Sequence, residues 1–183
     1  MTPTDTPSSA KRLVLIRHAT AESGVGMPDH DRSLTEQGRR EAAAVGRWLV
    51  AQGITCDLVL CSTAARTRQT WGAAASAGAV ATRVEHLRAI YQGGPAGVLS
   101  SLAEDTGSAD TAERLATVAV VGHAPTMPIL AALLTDGRGL ARAQEALAAG
   151  FPTAGVAVLR YAGPWAELAP GTAELVDFVS GRG

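Results

Sequence analysis

The sequence predicts an α/β fold, a three-layer α/β/α sandwich around a mostly parallel central sheet. Short apolar runs rich in β-branched residues alternate along the chain with longer segments of helical character, which is the order that βα units produce. The opening run, residues 13–16, is apolar without interruption, as expected for a strand that helices cover on both faces. With 183 residues, the chain is long enough to bury the core of one such domain.

The composition excludes several classes of protein. Hydrophobic residues make up 46% and charged residues 18% of the chain, and the formal net charge is -1. This balance gives no electrostatic reason to expect nucleic acid or a membrane surface as a partner. The cysteines, Cys56 and Cys61, form no zinc-ligand spacing, and no apolar run approaches the roughly 20 residues of a membrane helix. We therefore expect no metal, no cofactor and a cytoplasmic location.

One folded domain is predicted over residues 11–183, preceded by a disordered tail over residues 1–10. The tail is rich in Thr, Pro and Ser and has neither a basic start nor an apolar core, so it lacks the features of a secretory signal. No internal repeat or shift in composition divides the remainder into two domains.

The predicted elements alternate regularly in the first half of the chain. Ser33, followed three residues later by Glu36, forms a capping-box pattern that predicts the start of the first helix. Gly53 follows the helix as its stop signal. In order, the predicted elements are a strand over 13–19, a loop over 19–32, a helix over 35–51, a strand over 57–62, a helix over 63–77 and a weaker strand over 82–85.

The second half repeats this alternation with shorter helices. Residues 117–123 resemble the opening strand, because a run of β-branched residues again ends in a histidine. Pro128 is compatible with a helix only in the first turn, so that helix begins near Thr126. In order, the predicted elements are a loop over 86–95, a helix over 96–103, a linker over 104–110, a strand over 117–123, helices over 126–134 and 140–149, a strand over 155–161 and an edge strand over 174–179.

Three predicted strands lead into side chains that bind or attack an anion. Arg17 and His18 close the first strand. Ser62 ends the second strand, with Arg66 one turn into the helix that follows, and His123 closes the strand over 117–123. The carboxyl ends of parallel strands share one edge of a sheet, so we expect these side chains to converge. Two guanidinium groups and two imidazoles around one point, with helix N-termini beside them, suit a tetrahedral dianion.

The motifs that contain these residues resemble those of the histidine phosphatase (phosphoglycerate mutase-like) superfamily. They agree in order and spacing over nearly the whole chain. The matching segments are Arg17-His18-Ala19 (an Arg-His-Gly type of motif), Leu34-Thr35-Glu36-Gln37-Gly38, residues 62–70 ending Arg-Thr-Arg-Gln-Thr, and Val121-Gly122-His123-Ala124-Pro125. Within the superfamily, the chain is most similar to the SixA-type phosphohistidine phosphatases, because of its small size and three further segments. These are Asp31-Arg32-Ser33-Leu34-Thr35, Ile90-Tyr91 and Phe151-Pro152-Thr153.

The resemblance implies a phosphoglycerate mutase-like fold and a phosphatase that needs no metal. By this similarity His18 is the nucleophile and becomes phosphorylated, while Arg17, Arg66 and His123 bind the phosphoryl oxygens. Cations and backbone donors stabilise the equatorial charge when an imidazole attacks phosphorus in line. The expected substrate is phosphohistidine on a protein. The alternatives are a broad-specificity phosphatase of small esters, such as sugar phosphates or nucleotides, and a phosphate-binding module without catalysis.

The sequence leaves the general acid open. The mutase-like branch carries Asn six residues after the nucleophile, where this chain has Gly24. That branch also carries a Glu after the third strand, whereas residues 90–94 of this chain contain no acid. Glu22, in the loop after the nucleophile, is our candidate acid, and Asp29, Asp31 and Glu85 are the alternatives. Without a strong acid, alkyl esters are disfavoured as substrates. Phosphohistidine can supply its own proton, since free imidazole titrates near pH ~6.5.

Overall fold

A computed structural model describes residues 10–106 and 115–181, and its strands form one mixed sheet. The strands are β1 (Lys11–Arg17), β2 (Cys56–Ser62), β3 (Ala81–Leu87), β4 (Thr117–Gly122), β5 (Gly155–Tyr161) and β6 (Ala173–Ser180). Their order across the sheet is β3-β2-β4-β1-β5-β6. The first four of these are parallel neighbours, whereas β5 runs antiparallel to both β1 and β6. The predicted α/β fold with a mostly parallel sheet is confirmed.

Helices cover both faces of this sheet. They are α1 (Glu36–Ala51), α2 (Ala65–Ser76), α3 (Arg88–Gln92), α4 (Gly94–Thr106), α5 (Thr126–Thr135) and α6 (Ala141–Ala149). Successive side chains of a strand point to opposite faces, so Val14 and Ile16 pack in one hydrophobic cluster with residues of α1 and α2. Leu13 and Leu15 pack in the other cluster with residues of α3 to α6. Each layer of helices therefore buries one side of β1, which explains why its sequence is apolar without alternation.

The N-terminus of α1 is capped by a different residue from the one predicted. The hydroxyl of Thr35 accepts a hydrogen bond from the backbone N–H of Gly38 at 3.0 Å, so the assignment of the cap to Ser33 is wrong. The Ser33 hydroxyl instead accepts a hydrogen bond from the amide of Gln69 on α2 at 3.2 Å. Ser33 matches the capping-box pattern, because Glu36 follows three residues later, whereas Thr35 is followed by Gly38 at that spacing, so the pattern selected the wrong one of two possible caps.

The predicted loop over 86–95 and the helix after it differ from the structure. Strand β3 continues through His86 because its parallel pairing with β2 extends to Leu87. Helix α3 then places Ile90 in the core, where it is 1% exposed. Helix α4 includes residues 104–106, which are predicted to lie in a linker. The rest of that predicted linker, residues 107–110, and residues 1–9 of the predicted tail lie outside the described residues.

Cys56 and Cys61 are both buried on β2 and unpaired. Burial raises the pKa of each thiol to about 12, so both are protonated and unreactive at neutral pH.

In the described part of the chain, no helix has the length and apolar character needed to cross a membrane. The same residues contain no group of three or more His, Cys, Asp and Glu side chains suited to a metal ion.

Candidate active site

The carboxyl ends of β1, β2 and β4 bring the four predicted basic side chains to one edge of the sheet. Arg17 is the last residue of β1, and it pairs in register with Gly122, the last residue of β4. The backbone N–H of His18 then donates to the carbonyl of Gly122 at 2.9 Å. His18 and His123 are the next residues after the two strands, and the centroids of their rings are 5.2 Å apart. Arg66 lies in the first turn of α2 and is buried, with 5% of its surface exposed.

The hydrogen bond of His18 determines which ring nitrogen has a free lone pair. Its Nδ1 lies 2.8 Å from the carbonyl oxygen of Ala19, and because a carbonyl only accepts, Nδ1 must carry the proton. Nε2 is therefore the nitrogen with the lone pair. Burial lowers the pKa of His18 to about 4, and the positive charges of Arg66 and Arg17 act in the same direction. The ring is consequently neutral and nucleophilic at neutral pH.

His123 is oriented by a buried hydroxyl. Its Nε2 lies 2.7 Å from Oγ of Ser62, which also accepts a hydrogen bond from the backbone N–H of Ala64 at 3.3 Å. Among the described residues Nε2 of His123 is the one acceptor within reach of the Ser62 O–H, so we assign the hydroxyl as donor to Nε2 and the ring proton of His123 to Nδ1. Burial lowers the pKa of His123 to about 3, with Arg66 and His18 as further causes. A neutral ring thus presents one N–H donor at Nδ1.

Three buried nitrogen atoms of the cluster have no hydrogen-bond partner among the described residues. They are Nε of Arg17, Nε of Arg66 and Nδ1 of His123. An unsatisfied buried donor costs about 1–3 kcal/mol, and buried polar groups without partners are rare in folded proteins. Both guanidinium groups are charged at every physiological pH. This set of donors suits an oxyanion with several oxygen atoms, such as a phosphoryl group.

Asp29, one of the four alternative acids, is in direct contact with the cluster. Its carbonyl oxygen accepts a hydrogen bond from Nη1 of Arg66 at 2.6 Å, and its Oδ2 accepts one from Nη2 at 3.0 Å. The hydroxyl of Tyr91 also donates to Oδ2, at 3.0 Å, and Arg32 donates to Oδ1 at 3.0 Å. The hydrogen bond from Arg32, together with those from Tyr91 and Arg66, lowers the pKa of Asp29 to about 2. This carboxyl group is therefore ionised at neutral pH and holds no proton to donate.

The other candidate acids lie elsewhere. The side chain of Glu22 is exposed, and within the described residues no hydrogen bond or ion pair joins it to the cluster. Asp31 is exposed and contacts the neighbouring histidine. Glu85 lies on the edge strand β3, where its carboxylate is 3.8 Å from Arg83. The structure therefore offers Asp29, and not Glu22, as the carboxylate next to the basic groups.

A buried carboxylate holds the loop that follows His18. Glu41 of α1 is 5% exposed and accepts hydrogen bonds from the backbone N–H of Thr20 at 3.0 Å and from its hydroxyl at 2.9 Å. The Thr20 hydroxyl also lies 3.1 Å from that of Thr153, and the N–H of Ala19 donates to Thr70 at 3.0 Å. These bonds fix the chain on the carboxyl side of His18.

The approach of α1 to this loop requires glycine at position 38. A Cβ atom at Gly38 would lie 2.0 Å from the carbonyl oxygen of Thr20. That carbonyl accepts hydrogen bonds from the N–H of Thr35 at 3.0 Å and from its hydroxyl at 3.2 Å. The Leu-Thr-Glu-Gln-Gly segment noted in the sequence therefore packs its first helical turn directly on the backbone beside His18.

The sequence predicts no site role for Tyr91 or Glu41, and it places Ser62 at a strand end without predicting its contact with His123. For Glu41 a signal was present, because it lies four and eight residues before Val45 and Leu49, which are core residues of α1. A carboxylate on the buried face of a helix is expected to have buried hydrogen-bond partners. For Ser62 the signal is its position at the carboxyl end of a strand, whereas Tyr91 carries no comparable signal, since its partner comes from a segment distant in sequence.

The fold and this cluster define a class of protein, the phosphoryl-group hydrolases with a phosphoglycerate mutase-like α/β/α fold. The comparison with protein families makes the assignment specific, because residues 13–106 match the model of the Histidine phosphatase superfamily (branch 1). The chain belongs to this superfamily and is a phosphatase. The resemblance noted in the sequence motifs is confirmed.

Relatives place the chain in the SixA-like branch. The protein Rv1276c of Mycobacterium tuberculosis is 41% identical over 164 residues, which cover 89% of this chain and 98% of the relative. The solved structure of the SixA-designated protein of Nakamurella multipartitia is 40% identical, with a TM-score of 0.78 over 94% of this chain and 97% of that one. A SixA-designated structure from Agrobacterium tumefaciens is 32% identical, with a TM-score of 0.71 over 93% and 98% of the two chains.

Proposed function

We propose that this phosphatase removes phosphoryl groups from phosphohistidine side chains of proteins, through a phosphohistidine intermediate on His18 and without a metal ion. One observation carries the proposal. The neutral His18 ring, with its lone pair at Nε2, lies beside the ring of His123 and within electrostatic reach of Arg17 and Arg66, and each of these three residues has a buried nitrogen without a partner. A nucleophile and a set of oxyanion donors at one point are the two requirements of phosphoryl transfer.

The reaction begins with attack by Nε2 of His18 on phosphorus, in line with the bond to the leaving group. Nε2 supplies the electron pair of the new N–P bond, and the leaving nitrogen takes the pair of the bond that breaks. Phosphorylation makes the imidazole cationic, and its Nδ1–H remains bonded to the carbonyl of Ala19, which stabilises that cation. Arg17 and Arg66 neutralise the charge on the equatorial oxygens. Water then attacks phosphorus and releases inorganic phosphate and neutral His18.

The state of Asp29 favours a nitrogen leaving group. An alkoxide leaving group needs a proton in the transition state, and Asp29, whose pKa is about 2, has none to give at neutral pH. The imidazole of a phosphohistidine can be protonated in the substrate, since free imidazole titrates near pH ~6.5, and it leaves as a neutral ring. The SixA phosphohistidine phosphatase designation of the Nakamurella and Agrobacterium neighbours supports the same substrate class.

The intermediate can be tested by trapping. We expect brief incubation with radiolabelled phosphoramidate to label the wild-type chain with a phosphoryl group that survives alkali and is lost in acid. His18→Ala should remain unlabelled, whereas His86→Ala, which alters an exposed histidine of β3, should label normally. Acid-labile labelling of the His18→Ala variant would refute the assignment of the nucleophile.

The substrate class and the absence of a metal requirement need a second experiment. A histidine-phosphorylated protein should be turned over with a higher kcat/KM than a sugar phosphate or a nucleoside monophosphate, and EDTA should leave that rate unchanged. Higher kcat/KM values for several esters would favour a phosphatase of small metabolites instead. Loss of activity in EDTA that an added divalent cation restores would contradict catalysis by the arginines and histidines alone.

A further inference from the structure

An open apolar groove lies beside the candidate active site, between the end of α6 and the end of β6. Its volume is about 650 Å³, within the range of about 300–1,000 Å³ that is usual for ligand pockets. The side chains that line it are small, aliphatic or aromatic, and none carries a charge. They include Ala146, Ala149, Phe151, Pro152, Phe178 and Val179.

The segment that forms one wall of this groove also contacts the site. The carbonyl oxygen of Phe151 accepts a hydrogen bond from Nη1 of Arg17 at 2.7 Å. The ring of Phe151 meets that of Phe178 edge to face, with their centroids 5.0 Å apart. Three residues on, the N–H of Ala154 donates to the carbonyl of His18 at 3.1 Å. A molecule whose phosphoryl group lies at His18 therefore has the groove directly beside it, across a short stretch of backbone.

The groove also borders the free part of an edge strand. Strand β6 is the last strand of the sheet. Its first half is already covered, because Leu175 exchanges hydrogen bonds with Arg138 and Leu140 at 2.9 and 2.8 Å. The half that lines the groove, residues 178–180, pairs with no strand on its outer side among the described residues. Such an edge accepts an extended polypeptide as an additional strand.

We propose that this groove binds the polypeptide next to the phosphorylated residue of a protein substrate, an inference that rests on the proposed function. The chemistry of the lining identifies the occupant. Sugar phosphates and nucleotides present hydroxyl groups and charges, which gain nothing from an uncharged apolar surface. A polypeptide offers both apolar side chains for the lining and backbone groups for the edge of β6. The phosphoryl site thus selects the modified residue, and the groove selects the chain that carries it.

The test fills the groove without altering the site. Ala149 lines the groove and is exposed, so Ala149→Trp occupies the groove from its rim. Ala148→Trp is the matched control, since Ala148 is the adjacent exposed residue of α6 and lines a separate depression with Pro128 and Ile129. Two substrates are compared, a histidine-phosphorylated protein and phosphoramidate, which is too small to reach the groove.

We expect Ala149→Trp to lower kcat/KM for the phosphoprotein about tenfold or more, the loss of one well-packed contact. Its kcat/KM for phosphoramidate should stay within about twofold of the wild type. Ala148→Trp should leave both values unchanged. If the wild type hydrolyses neither substrate, the proposed function is wrong. If the wild type is active but Ala149→Trp and Ala148→Trp have the same kcat/KM for the phosphoprotein, only the assignment of the groove is wrong.

Four outcomes would overturn the assignment of the groove. Unchanged turnover of the phosphoprotein by Ala149→Trp would remove any role in substrate binding, and equal losses on both substrates would make the residue part of the phosphoryl site. Sedimentation that detects a change from dimer to monomer in Ala149→Trp would assign the groove to a second copy of the chain. A chain lacking residues 1–9 that reproduces the Ala149→Trp kinetics would assign it to that segment.

Discussion

Arg66 and Asp29 are joined by two hydrogen bonds, from Nη1 to the backbone carbonyl at 2.6 Å and from Nη2 to the carboxylate at 3.0 Å. The Arg66 side chain is 6% exposed and that of Asp29 is 54% exposed, so a residue at the rim holds a buried guanidinium in one orientation. Nε of Arg66 stays unpartnered. The two outer nitrogens thus fix the group, and the inner one is left for an anion.

The proposed role of Arg66 predicts a large and position-specific loss of activity. Arg66→Ala should lower turnover about 100-fold or more, which is the usual effect of losing one donor to a developing oxyanion. Arg68→Ala, two residues further along α2 and exposed, should retain wild-type turnover. Steady-state kinetics with phosphoramidate would check both variants. Equal activity of the two would show that Arg66 binds no phosphoryl oxygen.

Asp29 is expected to act by positioning Arg66 and not as a proton donor. Asp29→Asn keeps an oxygen acceptor for Arg66 and Tyr91, so kcat should stay within a few-fold of the wild type. Asp29→Ala removes the side-chain acceptor and leaves only the backbone carbonyl bond to Arg66, so it should lower kcat by about tenfold, a part of the effect of losing Arg66 itself. Asp31→Asn is the control at an exposed neighbouring carboxylate. If Asn were as damaging as Ala on ester substrates, Asp29 would be the general acid.

The His18 ring should titrate far below an ordinary histidine. Because burial and the neighbouring arginines lower its pKa to about 4, its ring carbon resonance in an NMR titration should move near pH 4 and not near 6.5. In Arg66→Ala the midpoint should rise, since one of the positive charges that disfavour the imidazolium is gone. A midpoint unchanged by that substitution would contradict the proximity of the two groups.

The same pKa has a consequence for stability. Between pH 6.5 and about 4 the unfolded chain binds a proton at residue 18 and the folded chain does not. The free energy of unfolding should therefore fall as the pH decreases through this window. Urea denaturation at several pH values should give a shallower fall for His18→Asn, which has no titrating group at this position. An equally steep fall in that variant would mean that His18 titrates normally in the folded protein.

Loss of the Glu41 carboxylate should weaken the fold as well as the site. Glu41→Ala leaves the N–H and hydroxyl of Thr20 without their buried acceptor, which we expect to cost about 1–3 kcal/mol of unfolding free energy. Glu36→Ala removes an exposed carboxylate of the same helix, paired with Arg40 four residues on, and should cost less than about 1 kcal/mol. Chemical denaturation of both variants provides the comparison. Equal effects would rule out a special role of Glu41.

The sequence was sufficient to predict the elements that carry a strong local pattern. The apolar runs before His18 and His123 predict two buried parallel strands, and the rule that ligands bind at strand carboxyl ends predicts that these histidines meet. That prediction needs no knowledge of side-chain contacts. The position of Arg66 in the first turn of α2 follows from the same rule.

The remaining features depend on contacts between distant segments. Tyr91 reaches Asp29 across 62 positions in the sequence, and Ser62 reaches His123 across 61, so neither pairing leaves a local pattern. Glu22 is the candidate acid by its closeness to His18 in the chain, whereas the structure leaves it exposed to solvent. Helix α3 was missed because its five residues are too few to establish a helical period.

The antiparallel direction of β5 determines which insertions would lie near His18. Gly155 at the start of β5 lies beside the end of β1, and Tyr161 at its finish pairs with Lys11 at the opposite border. Extra residues inserted between α6 and β5 would thus overhang His18 and could form a cover, whereas an insertion between β5 and β6 would extend the far side of the molecule. The α6–β5 connection spans only residues 150–154, and lengthening it offers designers a way to restrict this enzyme to smaller substrates.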